Sequence, residues 1–425
     1  MISDRLAALL QKRGIYYGWV VAGTTFLVML ATAGAMGSAG VLIQPLQKEF
    51  GWTTEQISTA FAVRLVFFGL LGPFAAAFMN HFGLKKVVTA ALVLIGGGVG
   101  LSLLMTQLWQ LMVLWGIVIG VGTGMTALVL GATIATRWFV ARRGLVVGVL
   151  TASTATGQLV FLPLLASLTE RLGWRTALAL VCCALAVSAT AVLLLMRDRP
   201  SDLGLRPFGD KGSEPITAPA PVTTPILAAA LGTLRDAARV PVFWMLFATF
   251  FICGASTNGL IQVHLIPMCL DFGIPQVHAA SLLAAMGIFD FFGTIVSGWL
   301  SDRYDNRWLL FWYYGLRGLS LLFLPFTDFS FYGLSLFAMF YGLDWIATVP
   351  PTVRLTAQRF GAERANLVFG WVFAAHQLGA GTAAFGAGLS RTLLQSYLPA
   401  FFTAGALCVL AALLALAIAR QPKPA

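Results

Sequence analysis

Charge is scarce in this chain. Lys, Arg, Asp and Glu together make up 10% of its 425 residues, against roughly a quarter in ordinary soluble domains. So few charges cannot cover the surface of a water-soluble fold of this length, which excludes a soluble enzyme or binding module. Cysteine is also rare. The five present (Cys182, Cys183, Cys253, Cys269, Cys408) all lie in apolar stretches, which excludes a disulfide framework. No glycine-rich loop ends in Lys-Ser/Thr, so ATP is not the expected energy source. No catalytic constellation stands out, and no cofactor is expected. The opening MISDRLAALLQKRG lacks an apolar core followed by a small-residue cleavage site, so no removable signal peptide is expected.

What the chain has instead is hydrocarbon. Hydrophobic residues reach 59%, and a bilayer-spanning helix needs about 20 of them in a row. Twelve such segments can be placed, near 17–40, 57–79, 86–106, 108–134, 144–168, 175–196, 241–267, 278–300, 308–326, 330–352, 366–390 and 396–419. Long apolar runs with internal glycines do not alternate every second residue, so they are not barrel strands. The fold class is therefore all-α, a polytopic membrane protein of twelve transmembrane helices in two six-helix bundles. Residues 1–196 form the first bundle, 197–240 a cytoplasmic linker with the Pro/Ala/Thr-rich tract TAPAPVTTPI, expected to be mobile, and 241–425 the second bundle.

Basic residues orient the chain. Arg5, Lys12, Arg13, Lys85, Lys86, Arg137, Arg142, Arg143, Arg303, Arg307, Arg354, Arg359, Arg364, Arg420 and Lys423, with six more in 197–240, fall on one side of this layout. Lys48, Arg171, Arg175 and Arg391 fall on the other. The basic side is cytoplasmic, so both termini are expected inside a bacterial-type inner membrane. The net charge of +11 then reflects retained loop charges and calls for no nucleic-acid partner.

The stretch GIFDFFGTIVSGWLSDRYDNR, residues 287–307, organises the rest. Gly287, Asp290, Thr294 and Ser297 share one helix face, with Phe289, Phe292, Val296 and Trp299 largely opposite. The apolar run ends at Ser301 and a charged cluster follows. Asp290 therefore lies deep in the bilayer, where an acid is costly and usually functional.

Four formal charges fall inside spans: Arg64, Asp290, Arg317 and Asp344. They sum to zero, as mutual pairing would require, and each unpaired charge costs about 2.5–3.5 kcal/mol. At about 1.5 Å rise per residue, Asp290, Arg317 and Asp344 all reach the midplane, with His376 slightly below. Asp290 reads either as a proton-binding acid or as a structural partner of Arg317. Asp344, ahead of Pro350 and Pro351 in a span that should bend, reads as a cavity acid or as the ion-pair partner of Arg317. His376 is able to titrate near neutrality, to bind an anion or to relay a proton; the bland alternative is an interhelical hydrogen bond. Arg64 is the remaining N-terminal cation for an anionic substrate, or else caps a nearby carbonyl. Asn258 and Gln262 share a face of the seventh span and are able to hydrogen-bond a solute. His264 and Met268, at i and i+4 with Cys269 near, form a thin soft-metal pair. Thr151, Ser153, Thr154, Thr156 and Gln158 make a polar cluster on the fifth span that lines the path or bonds its own backbone.

The loop FMNHFGLKK in the first half stands where WLSDRYDNR stands in the second. Two six-helix halves of this kind, with a short Asp–Arg loop motif, resemble the major facilitator superfamily. The resemblance implies that Asp302 and Arg303 brace a cytoplasmic gate. In the first copy Asn80 replaces the acid and Leu84 a base. Tyr16–Tyr17–Gly18–Trp19, Arg137–Trp138–Phe139, Arg142–Arg143–Gly144 with Gly148, Asp290, and GWVFAAHQLG around His376 are similar to the monocarboxylate and oxalate–formate branch. That branch carries an arginine where this chain has Thr294 and a lysine where it has His376. Both carboxylate anchors are thus altered. The resemblance implies proton symport of a small organic anion, a mono- or dicarboxylate, by a monomer, with Arg64, Asn258, Gln262, Thr294 and His376 on substrate and Asp290, Asp344 and His376 on the proton. The rivals are an efflux antiporter of drugs or metabolites, soft-metal or metal-chelate uptake through His264 and Met268, and a non-transporting sensor.

Overall fold

The computed structural model describes residues 2–126, 128–210, 225–327 and 329–418. A short amphipathic helix, α1 (Ile2–Lys12), precedes six long helical runs: α2 (Gly18–Phe50), α3 (Thr54–Phe82), α4 (Leu84–Ser102), α5 (Leu108–Trp138), α6 (Arg143–Leu172) and α7 (Trp174–Leu195). A second amphipathic helix, α8 (Ile226–Ala237), precedes six more: α9 (Pro241–Asp271), α10 (Gln276–Ser301), α11 (Asn306–Phe326), α12 (Phe331–Asp344 resumed at Val349–Phe360), α13 (Ala362–Leu394) and α14 (Leu398–Ala417). Ten of these runs are long and apolar enough to cross a bilayer. The other two, α6 and α13, are 30 and 33 residues long. The only β pairing among the described residues is the isolated bridge Phe139–Phe208.

Local chemistry sets the ends. Thr53 and Gln56 form a reciprocal capping box at the start of α3, each side chain bonding the other's backbone N–H. Gly51 closes α2 at φ 71°, a left-handed conformation that glycine adopts without strain. The halves meet along three helix pairs: α3 against α13, α6 against α10, and α2 against α9. Close approach needs glycine at particular points. A Cβ on Gly254 would lie 1.7 Å from the His376 carbonyl oxygen, and one on Gly293 1.8 Å from that of Leu343. The first fixes α9 against α13, the second α10 against α12.

The two motifs near the inner end of the first half form one cluster. Tyr16 donates its hydroxyl to the Trp138 carbonyl at 3.1 Å, and its ring lies edge-on to those of Trp138 and Phe139. Phe208, from the stretch after α7, closes the cluster against Tyr16 and Trp19, and Val140 and Ala141 donate to its carbonyl. The flanks of the expected linker pack against the bundles: Phe208 has an aromatic seat, and α8 packs on α13, where Trp371 donates to the Ala230 carbonyl at 3.0 Å. Residues 211–224, including most of TAPAPVTTPI, lie outside the described residues, as do Arg420 and Lys423.

Candidate functional site

Pro350 and Pro351 have no N–H to give, so the carbonyls a turn earlier lose their helical partners. The break falls at residues 345–348, between the two pieces of α12. At membrane depth no water is available to satisfy freed backbone groups, and protein side chains must do so. Here they do. Ser297 Oγ donates to the Ala347 carbonyl. Arg317 Nη2 donates to the carbonyls of Asp344 at 2.5 Å and Trp345 at 3.1 Å. The freed N–H of Ile346 donates to Asp290 Oδ1 at 2.8 Å.

Asp290 thus reaches across from α10 to cap a broken helix, and Thr294 donates to the same oxygen at 3.1 Å. The face predicted for Asp290 is buried: Asp290 is 7% and Ser297 0% exposed, while Phe292 and Trp299 on the other side exceed half. Arg317 does not pair with Asp290. Its Nε donates to Asp344 Oδ2 at 2.6 Å, and its Nη1 to Cys253 Sγ at 3.0 Å. Asp344 Oδ1 is buried without a partner. Among the described residues, two of the four intramembrane charges therefore pair with each other, and the other two pair with no opposite charge. Arg64, 2% exposed, donates through Nη1 to the Ala35 and Met36 carbonyls of α2 and sits over the Phe61 and Trp115 rings; its Nε is buried without a partner. Among the described residues neither Arg64 nor Asp290 has an ionic partner.

His376 lies between the rings of Phe250 and Phe373, stacked on the latter, and shares a hydrogen bond between its Nδ1 and Gln377 Nε2 at 3.2 Å. Asn258 belongs to a π-helical segment of α9, Ala255–Ile261; such insertions often mark functional positions. Among the described residues the Asn258 and Gln262 amides make no hydrogen bond. His264 is fully buried, its Nε2 donating to the Ala384 carbonyl at 2.8 Å while its Nδ1 has no hydrogen-bond partner among the described residues. No three His, Cys, Asp or Glu side chains converge on a metal position among the described residues. On α6, Ser153 bonds its own helix at the Leu150 carbonyl.

In the turn after α10, Asp302 pairs with Arg354 in the second piece of α12, while Arg303 stacks on Trp299. The first half repeats the geometry in altered chemistry. Arg137, at the end of α5, donates to Asn80 Oδ1 at 2.6 Å, and the carboxylate missing from the motif arrives from after α7: Asp198 accepts the Lys85 N–H at 2.7 Å, capping α4. Asp198, Cys253 and Phe208 are participants the sequence reading missed, while Ser297 was placed on the Asp290 face without a role. Only the proline pair signalled that side chains would be needed at α12, and nothing local identified which.

The family model of the Major Facilitator Superfamily matches residues 24–384 and 265–425, so the chain belongs to that superfamily, whose members are transporters and not enzymes. Within it, the chain is 30% identical over 292 residues to monocarboxylate transporter 11 of Mus musculus, which covers 68% of this chain but 60% of that protein. It is 25% identical over 388 residues to monocarboxylate transporter 12-B of Danio rerio, covering 85% of this chain and 78% of that one. An uncharacterized MFS-type transporter of Bacillus subtilis (strain 168), YcxA, is 22% identical over 388 residues, covering 89% and 90%. In fold, the chain is similar to a bacterial homolog of the human lysosomal transporter Spinster, solved inward-facing and unoccupied, with TM-score 0.72 at 16% identity over 96% of this chain and 99% of that one. The protein is a polytopic membrane transporter of this superfamily acting on a small molecule.

Proposed function

We propose that this transporter moves a small organic anion, a mono- or dicarboxylate, with a proton, by alternating access of the bundles 1–196 and 241–425. It works as a monomer in the cell inner membrane, with both termini cytoplasmic. One observation carries the reading: Arg64 in the first half and Asp290 in the second are buried opposite charges, each held only by neutral groups. A lone cation is what a carboxylate substrate needs, and a lone acid is what a coupling proton needs. Leaving each without a counter-charge costs about 2.5–3.5 kcal/mol, a cost that pairing them would have avoided. The names of the relatives point to the same substrate class.

In this reading Arg64 receives the carboxylate, and the Asn258 and Gln262 amides, Thr294 and His376 complete the substrate contacts. Asp290 carries the proton. Asp344, held by Arg317, is the lesser candidate for that role. Neutralising Asp290 removes charge from its bond to Ile346, loosening α10 from the break in α12. Occupancy by a proton is thereby coupled to the helix that must rearrange. The test is proteoliposome uptake of radiolabelled small acids under an inward proton gradient. Wild type should accumulate one of them, Asp290→Asn should lose the gradient dependence but retain exchange, and Arg64→Gln should raise KM about tenfold or more. Gradient-driven uptake unchanged in Asp290→Asn would remove the proton role from this acid.

A further inference from the structure

A cavity of about 700 Å³ lies between α11 and α12, walled by Leu316, Phe323, Leu336 and Phe340, with Arg317 and Asp344 also lining it. Leu316, Phe323 and Phe340 are each more than half exposed, so in a membrane-spanning chain the crevice opens to lipid. Its α11 wall runs from Tyr313 to Phe326, roughly 20 Å at helical rise, with Ser330 and Tyr332 beyond the Phe326 end. Its volume falls in the ~300–1,000 Å³ range of small-molecule sites.

The polar residues lining it are unequal. Arg317 has four of its five N–H groups engaged by Asp344, Trp345 and Cys253. Asp344 Oδ1 is a buried acceptor with nothing donating to it, in surroundings where an unsatisfied polar atom is expensive. An apolar crevice beside an unsatisfied acceptor selects a molecule that is apolar along its length and carries a hydrogen-bond donor at one end. An anionic head would meet the carboxylate and is disfavoured.

We propose that this crevice is a binding site for a neutral, hydroxyl-bearing amphiphile drawn from the bilayer, its hydroxyl donating to Asp344 Oδ1. It is separate from the Arg64 and Asp290 charges and does not depend on the transport reading. The experiment reconstitutes the whole protein in phosphatidylcholine nanodiscs and photolabels it with a diazirine-bearing octadecanol, locating adducts by peptide mass spectrometry. Labelling should concentrate on residues 316–343, and octadecanol should compete about tenfold or more better than its methyl ether, which has no donor. Leu336→Trp, which fills the crevice away from the ion pair, should abolish the labelling and leave the melting temperature unchanged. If that variant melts early, Ser320→Leu replaces it in the same comparison. Equal competition by alcohol and ether would mean an unselective lipid-facing groove only, and would overturn the site. So would undiminished labelling in a filled, stably folded variant.

Discussion

Arg317 satisfies three things at once: the Asp344 carboxylate, two carbonyls of the broken helix and the Cys253 sulfur. Removing it strands a buried acid and the carbonyls together. Arg317→Met should therefore cost about 3–5 kcal/mol and lower the melting temperature sharply in detergent. Asp290→Asn should cost far less, because Asn keeps an oxygen to accept the Ile346 N–H; a thermal melt of the two variants side by side checks the contrast. At the outer end, the Arg175 hydrogen bond, joined by that of Trp174, holds the Glu49 carboxyl below its ordinary value despite slight burial. A depressed folded value adds stability above the unfolded pKa, and that stability is lost as pH falls through the folded one. Both partners are exposed by a third or more, so solvent screening keeps the effect under ~1 kcal/mol. The melting-temperature gap between wild type and Glu49→Gln should be small at neutral pH and close below about pH 4; a gap that widened in acid would contradict the pairing.

At the scale of the element, α12 works as two half-helices joined by a turn whose polar groups are taken by α10 and α11. The seat of α10 depends on Gly293, where a side chain would collide with the Leu343 carbonyl. Gly293→Val should push α10 off α12, lengthen the Asp290–Ile346 bond and abolish uptake, with destabilisation of about 2–4 kcal/mol. Uptake and melting temperature both intact in this variant would show the contact to be dispensable. The existence of each span was legible in the chain because burial in hydrocarbon demands length and apolarity, but not every end was, since α2 runs on to Phe50 and α12 to Phe360. The break in α12 was legible too, through Pro350 and Pro351. Its repair was not, since the donors and acceptors come from helices 27 to 56 positions away in sequence.

For the whole molecule, the halves touch where α3 and α10 begin: the Glu55 N–H donates to Thr392 Oγ1 at 3.1 Å, and Gln276 Nε2 to the Val41 carbonyl at 2.8 Å. Alternating access requires these contacts to part. A Glu55→Cys/Thr392→Cys pair, in a background without the native cysteines, should form a disulfide under mild oxidant that blocks uptake and is released by reductant. Uptake that persists in the oxidised, cross-linked protein would rule out separation of α3 from α13 at this point.

The sequence by itself determined that the chain lives in lipid, how many times it crosses, and that acids and bases fall within its spans, since each follows from composition and from the length of the apolar runs. It also carried the superfamily, through motifs that turn out to be contact points, such as Tyr16 against Trp138. Only the tertiary structure decided which charge meets which. Depth along a helix can be counted from the chain, but the direction a side chain faces relative to other helices depends on how all of them pack. That is why Arg317, able by depth to meet either acid, bonds Asp344, and why Asp290 is left holding a backbone N–H.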